Sequence, residues 1–355
     1  MINRLNHLIS FIFLYPLFWI VSRLNFFLLY KLSDFLFYIF YYIIRYRRET
    51  VKQNLNLVFP KKTKKEIKNI ELKTYRNLTD VLLESIKFSA MSEEQVKKRF
   101  QFKNVEVLKE LEKTEQDLIL MCGHYASWEW VFILDRFVNY DIYGIYKKLS
   151  NPYFDKIIKK SRSRFNGFLI STKESIATIA KNSKFKKKIS LYGFASDQTP
   201  KLKRAFHWGK FMGITVPIHT GAEMLAKKHN LAIAFFATER IKRGYYMTTF
   251  EKITTTPKDY ENFEISDIFI KKVEQQIIIQ VNLHLHLELQ LYLQVSLLIQ
   301  FIIHKLQRQQ LLIRILFIQQ VLFIIHQHQR LFQQVELQWC QQVKQHQNRE
   351  TRQYQ

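Results

Sequence analysis

The sequence predicts an α/β fold in which a mixed central sheet is flanked by helices. The first observation is the unbroken apolar run LILMC at residues 118–122, which is typical of a buried parallel strand. Further strand-like runs at residues 142–145, 188–195 and 231–237 alternate with stretches that have helical spacing. Because a chain of 355 residues can bury a large core, this alternation predicts one large α/β domain.

Amphipathic and turn signals place the remaining elements. Residues 211–220 contain glycine and are predicted to form a loop, and the pattern RIKRGYYMTTFEKI at residues 240–253 predicts a closing β element. Ser127 is a candidate N-cap for a helix that continues through Leu134. The other helices are predicted at residues 66–88, at residues 105–113, after the Asn151–Pro152 turn, and at residues 220–228.

The charge of the chain indicates an anionic partner. The net charge is +25 and the sequence pI is about 9.8. Phospholipid headgroups, a phosphorylated glycolipid, an acidic carrier protein and nucleic acid all fit that charge, and charge alone does not choose among them. Solvated lysine-rich faces are the alternative explanation for many of the individual lysines.

Several classes of site lack support in the sequence. There is no GxGxxG or GxxxxGK[ST] loop, so nucleotide chemistry is not predicted. There is no HExxH pair, and Cys122 and Cys340 lie far apart, so we predict neither a metal site nor a disulfide framework. The compartment can therefore be reducing.

The N-terminus predicts a membrane anchor at residues 1–48. Residues 8–21 are almost wholly apolar or aromatic, residues 26–46 continue that character, and no small-residue cleavage site follows the first run. One bilayer crossing, or a hydrophobic hairpin with an interfacial helix, would both fit. The basic cluster that follows places the rest of the chain on the cytoplasmic side by the positive-inside rule, and its members are Arg45, Arg47, Arg48 and Lys52.

A histidine and a glutamate follow the strand at residues 118–122. His124 lies in the turn after Gly123, and Glu129 lies in the first turn of the next predicted helix. On one continuous helix the two side chains would point about 140° apart, but a loop histidine beside a helix-start glutamate can meet it. Such a pair is suited to general base catalysis, with His124 as base and Glu129 orienting its ring. The alternative is that His124 caps the helix and Glu129 is a solvated acid that suits the helix dipole.

The motif GHYASWEW after an apolar strand resembles the HxxxxE form of the catalytic motif in the lipid A biosynthesis (lauroyl/myristoyl) acyltransferases. These enzymes are relatives of the lysophospholipid and glycerol-phosphate acyltransferases, and the resemblance spans residues 15–278. It implies transfer of a fatty acyl group from acyl carrier protein to a hydroxyl of a lipid A precursor, without a cofactor, at the cytoplasmic face of the bacterial inner membrane. Nucleic acid is then not expected as a partner.

Two further segments resemble motifs of the same family. In IYKKLSNPYFDKIIKKSRSRF, Arg162 and Arg164 match an arginine that lies near the catalytic pair and contacts phosphate or the thioester carbonyl. Asp197 and Gln198 match a DQ pair beside the acceptor. The family usually has glycine directly after RSRF, whereas here Asn166 intervenes, which leaves the choice between the two arginines open. Without the resemblance, the arginines would be a solvated basic face and Asp197 would form an Asx turn.

The last part of the chain differs in composition. Residues 280–355 contain no Gly, Pro, Asp or Ala, and residues 283–295 alternate apolar and polar side chains without exception, a pattern typical of strands or of aggregation. We therefore predict an acyltransferase domain at residues 49–279, whose closing helix begins with KKVEQQII, followed by a tail that arises from a shifted reading frame. A Gln/His-rich interaction tail is the alternative.

The sequence leaves two other functions open. One is an acyltransferase with a different lipid acceptor, such as a lysophospholipid or an acylated amino acid lipid. The other is a non-enzymatic basic protein that binds a membrane surface, in which His124 is only structural.

Overall fold

The computed structural model of the chain describes residues 2–185 and 187–282. The helices are α1 (Ile2–Arg23), α2 (Phe26–Tyr38), α3 (Arg48–Val58), α4 (Lys64–Phe88), α5 (Glu93–Arg99), α6 (Glu106–Glu112), α7 (Pro152–Arg162), α8 (Ser175–Lys184), α9 (Gly221–His229) and α10 (Glu264–Asn282). The strands are β1 (Phe100–Phe102), β2 (Leu118–Cys122), β3 (Asp141–Tyr146), β4 (Phe168–Ser171), β5 (Ser190–Ala195), β6 (His207–Phe211), β7 (Ile214–Ile218), β8 (Ala232–Lys242) and β9 (Tyr245–Thr254). A π-helical turn, Ile39–Ile43, extends α2, and a 3₁₀ helix, Trp128–Arg136, follows β2.

The central sheet has seven strands in the order β1-β9-β8-β2-β5-β3-β4. β8, β2, β5, β3 and β4 run parallel, whereas β9 pairs antiparallel with β8 and β1 pairs parallel with β9. β2 is buried along its whole length, as its unbroken apolar run predicts. The predicted α/β fold with a mixed sheet flanked by helices is confirmed.

The long helix α4 begins with a capping box and packs under the N-terminal helices. The Thr63 hydroxyl accepts from the backbone N–H of Glu66, whose carboxylate accepts from the backbone N–H of Thr63. The buried face of α4 carries apolar residues such as Ile67 and Leu78, but also several acidic and amide side chains. This helix links the N-terminal segment to the loops above the sheet.

Helix α1 packs along the domain with one face and leaves the other open. The Phe11 ring lies 5.4 Å from the Phe154 ring at the start of α7, and the backbone carbonyl of His7 accepts from the Asn151 amide at 3.0 Å. One end of α1 is fixed to α4, because Lys87 donates to the Ser22 carbonyl at 3.0 Å. The opposite face exposes large apolar side chains, which include Leu5, Ile9, Ile12, Phe13, Leu17 and Ile20.

Helix α2 has the same two-sided character. It buries Leu29, Ser33 and Phe37, which are four residues apart and therefore share one face, against α4. The other face exposes Phe27 and Phe35. Leu5–Arg23 and Phe26–Ile43 are long and apolar enough to cross a membrane, with mean hydropathies of 1.6 and 1.4. The two helices suggest membrane association by length and composition.

Two local predictions need correction, and several short elements were not predicted. The predicted loop at residues 211–220 belongs to an antiparallel hairpin of β6 and β7, which turns at Gly213 with a φ of 80°. Ser127 makes no side-chain cap, and the segment after it is a 3₁₀ helix, because the Trp130 N–H bonds the Ser127 carbonyl three residues back. The short elements β1, β4, α5 and α8 have no counterpart in the sequence predictions, since they are too short to show a clear period.

The end of the described chain agrees with one prediction and leaves two untested. The segment KKVEQQII is helical, as predicted, but it does not begin the helix, because α10 begins at Glu264. The alternating run at residues 283–295 and the proposed frame shift lie outside the described residues. The domain boundaries after residues 48 and 279 remain predictions.

Candidate active site

Sheet register brings His124 and Asp197 together. β2 and β5 are parallel neighbours, and their last residues, Cys122 and Ala195, are paired. The Ser196 N–H donates to the Cys122 carbonyl at 3.1 Å, so the pairing continues one step beyond the strands. His124 and Asp197 each lie two residues after the paired ends. They therefore meet at the carboxyl edge of the sheet, where open α/β folds bind their ligands.

Asp197 holds His124 at two points. Nδ1 of the His124 ring lies 2.7 Å from Oδ1 of Asp197, and the backbone N–H of His124 donates to Oδ2 at 2.9 Å. The Asp197 side chain is only 2% exposed, whereas that of His124 is 18% exposed. A buried carboxylate on Nδ1 favours the tautomer with the proton on Nδ1, which leaves the Nε2 lone pair free to accept a proton. The Gln198 amide nitrogen lies 3.4 Å from that Nε2.

Glu129 has a different partner from the one expected. Its carboxylate accepts a hydrogen bond from the Arg162 guanidinium, and the side chains of this ion pair are 9% and 10% exposed. Among the described residues, the carboxylate that contacts the His124 ring is that of Asp197. The expectation that Glu129 orients His124 directly is therefore wrong for this structure. The physical reason is that the motif loop turns the start of the 3₁₀ helix toward the end of α7, while β5 delivers Asp197 to the histidine.

Arg162 and Arg164 separate into two roles. Arg164 donates to the backbone carbonyls of Phe88 at 2.6 Å and of Met91, so it caps the end of α4. Arg162 faces Glu129, and its buried Nε has no hydrogen-bond partner among the described residues. Asn166, which stands where the resemblance expects glycine, has a φ of 68°. Asparagine tolerates this left-handed conformation better than most residues, so the turn after the arginines is preserved.

Trp128 and His219 also lie beside the His124 site, and neither was predicted from the sequence. The Trp128 ring meets the His124 ring edge-on at 5.4 Å, and the Arg162 guanidinium lies 5.4 Å from the same indole. His219 follows β7. Burial lowers its pKa, the charge of Asp197 opposes that effect in part, and His124 lowers the pKa slightly further. Trp128 falls within the motif and could have been selected from it. No pattern in the sequence indicated a role for His219, because only the β6–β7 hairpin brings this residue to the site.

The Glu129–Arg162 pair should be sensitive to removal of one partner. Arg162→Met leaves a buried carboxylate without its counterion, and breaking a buried pair in this way typically costs about 3–5 kcal/mol of unfolding free energy. The double variant Glu129→Gln/Arg162→Met removes both charges and is expected to be more stable than Arg162→Met. Urea unfolding of the detergent-solubilised proteins measures both values.

Arg164→Met is the matched control for that experiment. It removes a guanidinium that is half-buried rather than buried, the groups left behind are two neutral carbonyls at the end of α4, and no charge loses its counterion. Its loss of stability should be smaller than that of Arg162→Met, and adding Glu129→Gln should not relieve it. Equal losses for the two arginines, or no relief in the double variant, would contradict the pairing.

The arrangement offers the parts of a general base site. A buried aspartate holds the His124 ring at Nδ1, so that Nε2 can accept a proton. The buried guanidinium of Arg162, whose Nε has no hydrogen-bond partner among the described residues, lies on the same indole ring that contacts the histidine. Burial and the nearby Asp197 charge raise the pKa of the Cys122 thiol well above its usual value, so Cys122 stays protonated. These groups suit the deprotonation of a hydroxyl beside an anionic or carbonyl-bearing substrate.

Comparison with known sequences gives a family match that covers the site. The model of the family described as bacterial lipid A biosynthesis acyltransferase matches residues 2–287. That match covers most of the chain and includes every residue of the site. A search of individually curated proteins finds no match.

Proposed function

The chain belongs to the bacterial lipid A biosynthesis acyltransferase family, and we propose that it transfers a fatty acyl group from acyl carrier protein to a hydroxyl of a lipid A precursor. Its membership makes it an acyltransferase. The donor, the acceptor and the mechanism are the proposed part. The observation that carries the mechanism is the 2.7 Å contact between His124 Nδ1 and Asp197 Oδ1, which leaves Nε2 as the base.

In the proposed reaction, His124 Nε2 takes the proton of the acceptor hydroxyl as its oxygen attacks the thioester carbonyl. Asp197 stabilises the imidazolium that forms. The tetrahedral intermediate then expels the carrier thiolate, which recovers the proton from His124, so an ester and a free thiol are the products. No acyl-enzyme is needed because the thioester is already activated, and the protonated Cys122 is a poor nucleophile.

The neighbouring polar groups fit supporting roles. The Gln198 amide nitrogen is 3.4 Å from Nε2, so it marks the direction from which a hydroxyl would approach the base. The unpartnered Nε of Arg162 can donate to an anionic oxygen, either a phosphate of the acceptor or carrier or the oxyanion of the intermediate. Glu129 is then the counterion that keeps Arg162 in place.

We further propose that α1 and α2 attach the enzyme to the cytoplasmic face of the inner membrane by lying along one leaflet. α1 contacts the domain from His7 to Ser22 on one face, so it cannot also cross the bilayer without leaving that docking surface. Its opposite apolar face suits insertion at the interface. The basic charge of the chain adds attraction to anionic lipid.

The attachment predicts that Phe13→Glu weakens vesicle binding. The Phe13 side chain is 68% exposed and faces away from the domain, so the substitution should leave the thermal unfolding midpoint unchanged. Loss of one inserted phenylalanine should reduce partitioning into anionic vesicles about tenfold or more. Ile176→Glu on α8, at a residue that is 58% exposed, is the control. Equal partitioning of wild type and Phe13→Glu would contradict the proposal.

A donor and acceptor panel tests the function. Purified protein is incubated with acyl carrier protein or coenzyme A thioesters of one fatty acid, and with either a lipid A precursor or a lysophospholipid. Mass spectrometry should show one added acyl chain on the lipid A precursor, with the carrier protein thioester as the preferred donor. Acylation of the lysophospholipid alone would overturn the acceptor assignment, and no product with any pair would overturn the function.

A further inference from the structure

The Glu84 carboxylate, near the end of α4, joins three separate parts of the chain. It accepts hydrogen bonds from the Tyr30 hydroxyl on α2 at 2.7 Å and from the Tyr246 hydroxyl on β9 at 2.6 Å. Its third donor is the hydroxyl of Ser127, in the loop between His124 and Glu129. The Glu84 side chain is completely buried. It is therefore the point at which the catalytic loop is tied to the helical layer.

A carboxylate at this position is costly unless its neighbours compensate for it. Burial raises the pKa of Glu84, the nearby Asp80 raises it further, and Arg240 opposes both. The Arg240 guanidinium donates hydrogen bonds of 2.7 Å to Asn77 and to Asp80. Buried charges of this kind add little net stability compared with well-packed apolar residues, so stability alone does not explain a carboxylate at this position.

The loop that Glu84 holds has an unusual backbone. Ala126, directly before Ser127, has a φ of 55°, which an L-residue with a Cβ adopts at an energetic cost. Such a conformation persists when the surroundings fix it on both sides. On one side Asp197 accepts the His124 N–H at 2.9 Å, and on the other side Glu84 accepts the Ser127 hydroxyl.

We propose that Glu84 is a positioning residue of the acyl transfer reaction, which acts through Ser127 to hold His124 and Glu129 in their working geometry. This inference rests on the proposed function, because it names a residue that serves the same site without touching the substrate. Tyr30 and Tyr246 fix the carboxylate, and the carboxylate fixes the loop. A misplacement of catalytic groups by about 1 Å can cost on the order of 10²-fold in rate, so a single hydrogen bond at this point can control turnover.

The test compares two buried serines that donate to carboxylates of α4. Ser127→Ala removes the bond from the catalytic loop to Glu84. Ser33→Ala is the matched control, since the buried Ser33 hydroxyl lies 2.6 Å from Asp80 Oδ1, one turn of α4 away, and does not contact the loop. Both variants of the full-length protein should show similar thermal unfolding midpoints. Steady-state kinetics should then separate them.

We expect Ser127→Ala to lower kcat by on the order of 10²-fold with little change in KM, and Ser33→Ala to keep the wild-type kcat. Glu84→Gln, which keeps the shape but not the charge, should reproduce the loss, and the double variant Glu84→Gln/Ser127→Ala should be no worse than Ser127→Ala alone. If Ser127→Ala keeps the wild-type kcat, or if both serine variants lose activity in proportion to their unfolding midpoints, the proposal is overturned and Glu84 is only a structural group.

A second readout keeps this test independent of turnover. The rate at which diethyl pyrocarbonate modifies His124, followed by peptide mass spectrometry, reports the exposure and hydrogen bonding of the ring. Ser127→Ala should raise that rate and Ser33→Ala should not. If the wild type acylates no lipid, the proposed function fails, and the modification rates still decide the positioning role: equal rates in both variants and the wild type would overturn it.

Discussion

His124→Ala is expected to abolish acyl transfer while leaving the protein folded and membrane-bound. General base catalysis typically contributes about 10² to 10⁴-fold to the rate, and the variant removes the base itself. The His124 side chain is 18% exposed and sits in a loop, so its truncation removes little core packing. Measured kcat should fall by at least two orders of magnitude, with vesicle binding and the unfolding midpoint close to those of the wild type.

A second histidine–aspartate pair in the same chain provides the control. His207 Nε2 lies 2.7 Å from Asp267 Oδ1, the same separation as in the active site, but this pair joins β6 to α10. His207→Ala removes an equivalent contact and should lower stability more than turnover. Near-normal transfer by His124→Ala, or an equal loss of kcat in His207→Ala, would show that His124 is structural.

Asp197→Asn should cause the second large loss. The substitution keeps the shape of the side chain but removes the charge that stabilises the imidazolium, and an asparagine amide can turn its NH₂ toward Nδ1 and favour the wrong tautomer. A loss of about 10² to 10⁴-fold in kcat is expected, with a smaller change in KM. The measurement is kcat and KM for the acyl donor at saturating acceptor.

The comparison with Glu129→Gln decides which carboxylate serves the histidine. Combining His124→Ala with Asp197→Asn should add almost no further loss, because residues that act as a unit are not additive. Glu129→Gln should instead behave like a disturbance of Arg162, with an additional loss when combined with Asp197→Asn. An Asp197→Asn variant with the wild-type kcat would contradict the role that its 2.7 Å contact with His124 assigns to it.

The sequence was most informative where local pattern and chemistry coincide. The apolar run at β2 and the glycine after it located His124 at a strand end, and the family resemblance located Asp197, which follows the apolar run of β5. Their pairing depends on β2 and β5 being adjacent and in register, with Cys122 opposite Ala195. No periodicity in the sequence encodes which strands are neighbours, so Glu129, the nearer carboxylate along the chain, was the natural choice.

The polar residues on the buried face of α4 carry a signal that the sequence itself contains. Asn77, Asp80 and Glu84 recur at helical spacing and share the buried face of α4 with the apolar residues around them. A polar stripe on the buried face of an amphipathic helix predicts a network of buried hydrogen bonds. The sequence does not predict the hydrogen-bond partners of Glu84, because only tertiary folding brings Tyr30, Ser127 and Tyr246 together.

The structure decides between Arg162 and Arg164, which the family pattern left as equal candidates. Arg162 and Arg164 are two residues apart near the end of α7, so their side chains leave the chain in different directions. One meets Glu129 and the other meets the carbonyls at the end of α4. Spacing from the glycine could not distinguish them, because Asn166 occupies the left-handed turn position.

A single-turnover experiment with a labelled acyl group is the most direct test of acyl transfer by a His124 base. Protein in excess over radiolabelled acyl carrier protein thioester is mixed with a lipid A precursor, quenched at successive times, and separated into carrier, enzyme and lipid. We predict that label passes from carrier to lipid with none accumulating on the enzyme, and that His124→Ala leaves it on the carrier. Label that appears first on the enzyme, or that never reaches the lipid in the wild type, would contradict direct transfer by a His124 base.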